Sequence, residues 1–199
     1  MAQRTLLPEQ LEFQESARAW LKANPAPPTD IRLPLSSLEV KTQPQIDYLR
    51  DWQRRCYEAG LVGTDVPREY GGHGHENCQA IANREMSKAR TPFLVNTVGL
   101  SMMVPTVLHH GTEAQKKRFI PGALSAEEIW CQGFSEPGAG SDMANQQTFA
   151  SPRGDEWVVN GHKVWTSFGH FSKWMILLAR TSRDHEYDGL TFFLAPIEG

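Results

Sequence analysis

Apolar positions change their period once along this chain, near residue 130. Before that point they recur at the three-and-four spacing of amphipathic helices. Phe13, Ala17, Trp20 and Leu21 share one face of a first helix, with Pro8 in its opening turn, where a missing amide is harmless. Ile46, Leu49, Trp52, Cys56 and Ala59 form the stripe of a second helix that stops at Gly60. Ile81, Ala82, Met86 and Ala89 mark a third, ended before Thr91-Pro92. Residues 93–110 are apolar nearly all round, which predicts a helix buried at a domain centre, kinked or broken at Pro105. Thr112-Glu-Ala-Gln115 fits a capping box opening a short helix that Pro121 closes. Between the first two helices, residues 24–44 carry five of the thirteen prolines and predict an extended connector, either packed along the surface or mobile.

From residue 130 onward the pattern is that of strands. Residues 149–157 read as strand, turn, strand. Val158-Val159 before Asn160-Gly161 predicts a tight type I′ turn into a strand at Lys163-Val164-Trp165. Residues 175–181 and 190–195 add two more runs, separated by the polar loop 182–189. Four or five strands with exposed edges do not close a sheet comfortably, and the chain stops at Gly199 where the β-region should continue. The expected fold is therefore α+β. An N-terminal all-α domain spans 1–129, and an antiparallel β-domain spans 130–199, truncated at its C-terminal end.

Composition narrows the function classes. The chain has 199 residues, 40% hydrophobic and 22% charged, with net charge −3, so no basic excess marks a nucleic-acid footprint. Its longest apolar stretch, 174–179, is too short to span a bilayer. The opening MAQRTLLPEQLEFQE turns acidic at once and lacks the apolar core of a secretory signal. Cys56, Cys78 and Cys131 are odd in number and without CxxC spacing, which reads as reduced thiols in a cytoplasmic protein. His73-Gly-His75 and His109-His110 lack zinc-ligand spacing and read as loop or helix-end histidines.

The chemically unusual stretch is GFSEPGAGSD, residues 133–142. A Walker phosphate loop needs a lysine after its last glycine, and none follows Gly140. A dinucleotide fingerprint needs a helix after its glycines, and strand-like sequence follows here. Two readings remain on the residues alone. One is a plain turn. The other is a loop whose small residues let a flat ligand rest on backbone amides, with Phe134 and Ser135 at its edge.

Three stretches resemble the acyl-CoA dehydrogenase family, in the family's order and at suitable spacing. They are AGLVGTDVPREYGGHG (59–74), HGTEAQKKRFIPGALSAEEIWCQGFSEPGAGSD (110–142) and VNGHKVWTS (159–167). The likeness runs from about Leu6 to Gly199 and is weakest in the proline-rich connector. It implies FAD as cofactor, held between the β-domain and helical domains. By position, Gln132, Phe134, Ser135, Gly140, Ser141, Trp165, Thr166 and Ser167 would contact the flavin. Ser141 would also meet the thioester arm of an acyl-CoA substrate. Ser135 and Ser167 stand where the family usually has threonine, and each keeps a hydroxyl able to donate to the ring. Gly138 and Gly140 would let both ligands approach without a Cβ in the way. Trp165 would offer the ring a flat face, with core packing as the competing role, while Trp130, Trp157 and Trp174 read as core or surface residues. Asp142 reads as a local cap of the turn.

The implied reaction is α,β-dehydrogenation of an acyl-CoA thioester, with loss of an α-proton and transfer of the β-hydrogen as hydride to flavin. Such a proton is weakly acidic, so the site must stabilise the enolate oxygen and exclude water. Glu136 is a carboxylate inside the signature, yet the resemblance gives it a structural role and places the catalytic glutamate in a C-terminal helical domain beyond Gly199. No catalytic residue is assigned within the chain, and the chain alone is expected not to turn over. An electron-transfer flavoprotein or similar acceptor, and a homo- or hetero-oligomeric full-length form, are the implied partners. The alternatives are a non-catalytic flavin- or acyl-CoA-binding subunit completed by another chain, and a flavin monooxygenase relative on the same fold.

Overall fold

The computed structural model describes residues 6–184 and 188–197. The chain divides into two compact units, Met1–Glu127 and Glu128–Gly199.

The first unit is helical. Helix α1 (Pro8–Ala23) buries Ala17 and Leu21, and α2 (Gln43–Glu58) buries Ile46, Leu49, Trp52 and Cys56, as their spacing predicts. Leu61 closes the end of α2 by donating its amide to the Cys56 carbonyl (2.9 Å), which Gly60 allows by adopting φ +78°. Helix α3 (Gln79–Lys88) packs against α1. The junction is polar as well as apolar: Gln14 and Arg18 of α1 reach the buried Glu85 carboxylate at 2.9 and 3.1 Å, and Lys88 joins at 2.8 Å. Their donated bonds and charge hold that carboxyl below its ordinary range against the opposing effect of burial. The proline-rich connector is packed along the surface. Tyr48 donates its hydroxyl to the Pro27 carbonyl at 2.7 Å, and Gln45 reaches the Arg32 carbonyl at 2.8 Å.

The stretch over 93–110 departs from the expected all-round burial. A π-helical turn (Gly99–Met103) runs straight into α4 (Val104–His110). The widened turn lies just where the Pro105 ring would otherwise crowd the preceding carbonyls, so the helix continues instead of breaking. Val104 and Val107 are buried, whereas Ser101 and Pro105 are exposed. Helix α5 (Glu113–Leu124) opens on the predicted capping box, with the Gln115 amide on Thr112 Oγ1 and the Gln115 side chain on the Thr112 amide. Pro121 does not close it; the helix carries on to Leu124. A polar pair inside the core explains how its end is satisfied. Gln53 Nε2 donates to the Leu124 carbonyl (3.0 Å), Asn96 Nδ2 to the Ala123 carbonyl (2.9 Å), and the Asn96 amide to Gln53 Oε1 (2.9 Å). Both residues are fully buried, which orphaned helix-end carbonyls justify.

The second unit is a five-stranded sheet: β1 (Trp130–Gly133), β2 (Phe149–Arg153), β3 (Glu156–Asn160), β4 (Trp174–Arg180) and β5 (Leu190–Pro196). The sheet is mixed rather than antiparallel. β2 with β3 and β4 with β5 are antiparallel hairpin partners, but β1 pairs with β4 in parallel from Trp130↔Trp174 to Gly133↔Leu177, and β2 meets β4 in parallel at Phe149↔Arg180. Parallel neighbours need a long crossover. Residues 134–173 supply it, leaving β1 and returning alongside it. The central strand β4 is buried from Ile176 to Arg180. The Trp130 and Trp174 rings, brought level by the parallel register, stack with centroids 5.9 Å apart.

The predicted type I′ turn at Asn160-Gly161 and the strand at 163–165 do not form; residues 161–166 run irregularly. Gly161 lacks the positive φ such a turn requires. Its glycine has a different cause: an added Cβ would sit 2.1 Å from Thr148 Oγ1 and 2.7 Å from the Thr148 backbone. The chain leaving β3 lies flat against the residue that precedes β2. Gly161→Ala should therefore destabilise the β-unit by about 1–3 kcal/mol through overpacking, read as a lowered denaturant midpoint; an unchanged midpoint would show that this close approach is not required.

Candidate functional site

The segment after β1 folds back on itself as a two-residue turn. Glu136 and Ala139 exchange backbone hydrogen bonds (2.8 and 3.1 Å), leaving Pro137 and Gly138 at the tip. Asn145 clamps that tip by donating Nδ2 to the Gly138 carbonyl at 3.0 Å. Ala139 is buried, and Gly138, Gly140 and Ser141 are exposed. Asp142 stands at the N-terminus of a short 3₁₀ turn, but its side chain makes no cap; the backbone carbonyl receives the Asn145 amide instead.

Neither Gly138 nor Gly140 has the positive φ that would demand glycine, and a Cβ on either would meet no protein atom within 4 Å. Conformation and internal packing both leave these positions open to a larger residue. Glycines there leave the backbone bare to anything that approaches it. By contrast, Gly133 is explained from within, since a Cβ there would run 2.3 Å from Met175 Sδ.

The second segment comes to the first by its backbone. The Val164 amide donates to the Ser135 carbonyl at 2.9 Å. Trp165 then takes a left-handed conformation (φ +59°), and its side chain projects outward, with the residue 89% exposed. A bulky aromatic rarely adopts this conformation, which costs on the order of 1–3 kcal/mol. Among the described residues the Trp165 ring has no core packing. The Ser167 amide closes a tight turn onto the Trp165 carbonyl (2.9 Å), and the buried Phe168, also at positive φ (+68°), anchors the return of the chain. Gln132, Phe134, Ser135 and Thr166 are half-buried, and Ser167 is exposed. Phe134 rests on Phe192 of β5 with ring centroids 5.4 Å apart. The structure thus brings 134–136 against 163–164, with Trp165–Ser167 directly after.

The residue that makes this juxtaposition rigid is one the motif reasoning passed over. Lys163 is 8% exposed at its side chain, and its ammonium donates to the Phe134 carbonyl (2.9 Å), Glu136 Oε1 (2.8 Å) and Gln146 Oε1 (2.8 Å). All three donors of the ammonium are used. Glu136, 6% exposed at its side chain, also accepts from the backbone amides of Gln147 (2.7 Å) and Thr148 (3.0 Å). Burial alone would raise its pKa, but Lys163 and the two amides outweigh it and hold the carboxyl at about 2. A carboxylate so engaged and so weakly basic cannot serve as a proton acceptor. Arg180, also missed, is buried and donates Nε to the Gln146 carbonyl (2.9 Å) and Nη2 to the Ala144 carbonyl, tying the same loop to β4. A lone lysine inside a largely apolar motif and a lone arginine closing an apolar strand were the available signals.

The helical unit has a concave feature of its own. A cavity of about 400 Å³ is bounded by Val62, Val66, Leu94, Leu100, Val104 and Leu108, with Gln79 and Asn83 among its few polar groups. It accounts for the half-exposed apolar flank of the π-helical turn and α4. The histidines of 73 and 75 are structural, His73 bonding the Tyr57 carbonyl at 2.9 Å and His75 lying on Phe13, and no metal-binding cluster exists among the described residues. The three thiols are buried and unbridged; burial pushes Cys56 up to about 12 and Cys131 to about 11.

Known proteins match this arrangement along its length. The model for the acyl-CoA dehydrogenase N-terminal domain matches residues 7–127, and that for the middle domain of the same enzymes matches 131–199. The chain belongs to the acyl-CoA dehydrogenase family. Acyl-CoA dehydrogenase IpdE1 of Mycobacterium tuberculosis is 38% identical over 189 residues, covering 94% of this chain and 49% of its own length. The mitochondrial short-chain specific acyl-CoA dehydrogenase of Mus musculus is 33% identical over 146 residues, covering 72% of this chain and 35% of its own length. Among solved structures, the Tcur3481-Tcur3483 steroid ACAD superposes with a TM-score of 0.75 at 30% identity, covering 98% of this chain and 49% of that one. The ChsE4-ChsE5 complex from Mycobacterium tuberculosis superposes at 0.72 with 26% identity, covering 98% and 48%. This acyl-CoA dehydrogenase chain spans about half the length, or less, of the curated relatives it matches. FAD is the cofactor of its family.

The depressed Glu136 pKa sets a pH dependence. A carboxyl at about 2 in the fold and at 4.5 by reference contributes stability that is fully present above about pH 4.5 and is lost as pH falls through about 2, on the order of 3 kcal/mol in all. Urea unfolding of the β-unit should weaken more steeply between pH 5 and 2 in the natural protein than in Glu136→Gln. Parallel pH curves for the two would remove Glu136 as the acid-sensitive group.

Proposed function

We propose that this chain forms the FAD seat and part of the acyl-CoA site of a dehydrogenase that introduces an α,β double bond into an acyl thioester. One observation carries the reading: the strip around Gly138 and Gly140 and the bare, strained Trp165 are built into one hydrogen-bonded loop cluster, and no contact among the described residues accounts for either. The residues fit a flavin. Among the described residues, the hydroxyls of Ser135, Ser141, Thr166 and Ser167 make no side-chain hydrogen bond, so each can serve a ligand. Gln132, Phe134 and Ser135 would hold one edge of the ring system, and Trp165, Thr166 and Ser167 would hold another. Gly140 and Ser141 would underlie the place where the flavin and the thioester arm meet.

Bound FAD would supply the acceptor for the hydride that leaves the β-carbon. The chain's own residues orient and exclude. Trp165 covers a flat face and sheds water from it, and hydroxyl donors favour negative charge developing on the bound group. Glu136 takes no part in proton transfer, so another group serves as the base for the α-proton. The helical unit's own cavity, about 400 Å³ and mostly apolar, is suited to an apolar ligand group. The steroid ACAD among the structural relatives supports a bulky apolar acyl group as substrate.

The finer surroundings belong to the same reading. A cytoplasmic protein is supported by three buried, unbridged thiols, and no helix among the described residues is long and apolar enough to cross a membrane. An oligomeric full-length form, homomeric or heteromeric, draws support from the ChsE4-ChsE5 complex. That complex also keeps open a division of labour in which this chain binds flavin while another chain holds the base. An electron-transfer flavoprotein or similar acceptor would reoxidise the cofactor.

Titration of the purified protein with FAD, followed by tryptophan quenching, tests the seat. Ser135→Ala and Ser167→Ala should each weaken binding by up to about tenfold. Trp165→Gly should separate stability from function: relief of the left-handed strain stabilises the fold by about 1 kcal/mol, while loss of the ring weakens FAD binding about tenfold. A Trp165→Gly protein that binds FAD normally would remove the flavin from this loop. In the full-length protein with FAD bound, anaerobic bleaching of the visible band by an acyl-CoA without NADPH would separate a dehydrogenase from a monooxygenase.

A further inference from the structure

Lys163 does more than neutralise a buried carboxylate. A buried ion pair is a poor way to gain stability, because taking two charges out of water costs about as much as their attraction returns. An apolar pair of similar volume would hold the fold as well. What an apolar pair could not do is aim. The Lys163 ammonium points at three acceptors on two separate stretches of chain: the Phe134 carbonyl and the Glu136 carboxylate in the segment after β1, and the Gln146 side-chain oxygen in the loop before β2. Gln146 is itself fully buried, and its carbonyl is held by Arg180. Two residues beyond Lys163 stands Trp165, with no packing of its own to fix its pose. One residue beyond is Val164, bonded to the Ser135 carbonyl.

From this geometry we propose that Lys163 is a positioning residue for the flavin. Its three-way hydrogen bonding sets the distance and angle between the Phe134–Ser135 edge and the Trp165–Ser167 edge, so the two sides of the seat match one rigid ring. The proposal rests on the FAD reading above and adds to it a residue that touches no ligand. A mere structural tie would tolerate an apolar replacement once the fold is intact; a positioning residue would not.

The test compares the natural protein with Lys163→Met and with Lys163→Met/Glu136→Gln, which leaves no unpaired charge. Thermal unfolding, FAD affinity and the fine structure of the bound-flavin absorption band are read at a temperature where each protein is folded. The single variant should lose stability and bind FAD poorly. The double variant should recover most of the lost stability, yet bind FAD about tenfold or more weaker and give a band with blurred fine structure. The ¹⁹F resonance of 5-fluorotryptophan at position 165, assigned through Trp165→Phe, should shift in the flavin-free double variant as the ring loses its pose. A folded double variant with natural FAD affinity, spectrum and ¹⁹F shift overturns the proposal and leaves the FAD reading standing. Failure of both variants to fold overturns it in favour of a purely structural tie. If the natural protein binds no FAD, the flavin reading fails first and the proposal with it.

Discussion

The buried contact between Lys163 and Glu136 is the constraint on which the β-unit's irregular half depends. Residues 134–148 and 161–173 contain little regular secondary structure, so few ladder hydrogen bonds hold them. The ion pair, the two amides on the carboxylate and the Val164–Ser135 bond replace that ladder. Without them the glycine strip and the Trp165 turn would be two loops with independent conformations. With them, they are one surface.

That surface shows two costs that internal contacts do not return. Trp165 holds a strained backbone and a bare indole, and the chain accepts conformational freedom at Gly138 and Gly140 where any small residue would fit. Local features that oppose folding persist where something else selects them. On the reading proposed above, the selecting agent is a flat ligand with a second ligand across it. The helical unit displays the same logic in another form, since the π-helical turn before Pro105 leaves an apolar flank facing a cavity instead of a packed neighbour.

The sequence made the regular elements legible because periodicity reports burial. The stripes of α1 and α2 and the strand β4 follow from side chains that face water or do not, and the capping box at Thr112 follows from local hydrogen bonding. It misled where one residue type serves several causes. Asn160-Gly161 has turn chemistry, yet Gly161 is small because Thr148 lies against it. Pro121 and Pro105 are helix breakers by rule, but one sits inside α5 and the other follows a widened turn. The parallel partnership of β1 and β4 joins residues more than forty apart, and no local pattern encodes it. The motif residues of the candidate site were readable through family likeness, whereas Lys163, Gln146 and Arg180 were not, because their role is visible only once three loops are placed side by side.

A crystal structure of the FAD complex is the most direct measurement. The isoalloxazine should lie against Trp165, with ring atoms about 3 Å from the Ser135 and Ser167 hydroxyls, over the backbone of Gly138 to Ser141. A ring bound elsewhere, with that backbone empty or covered by the protein's own side chains, would contradict the flavin seat and everything built upon it.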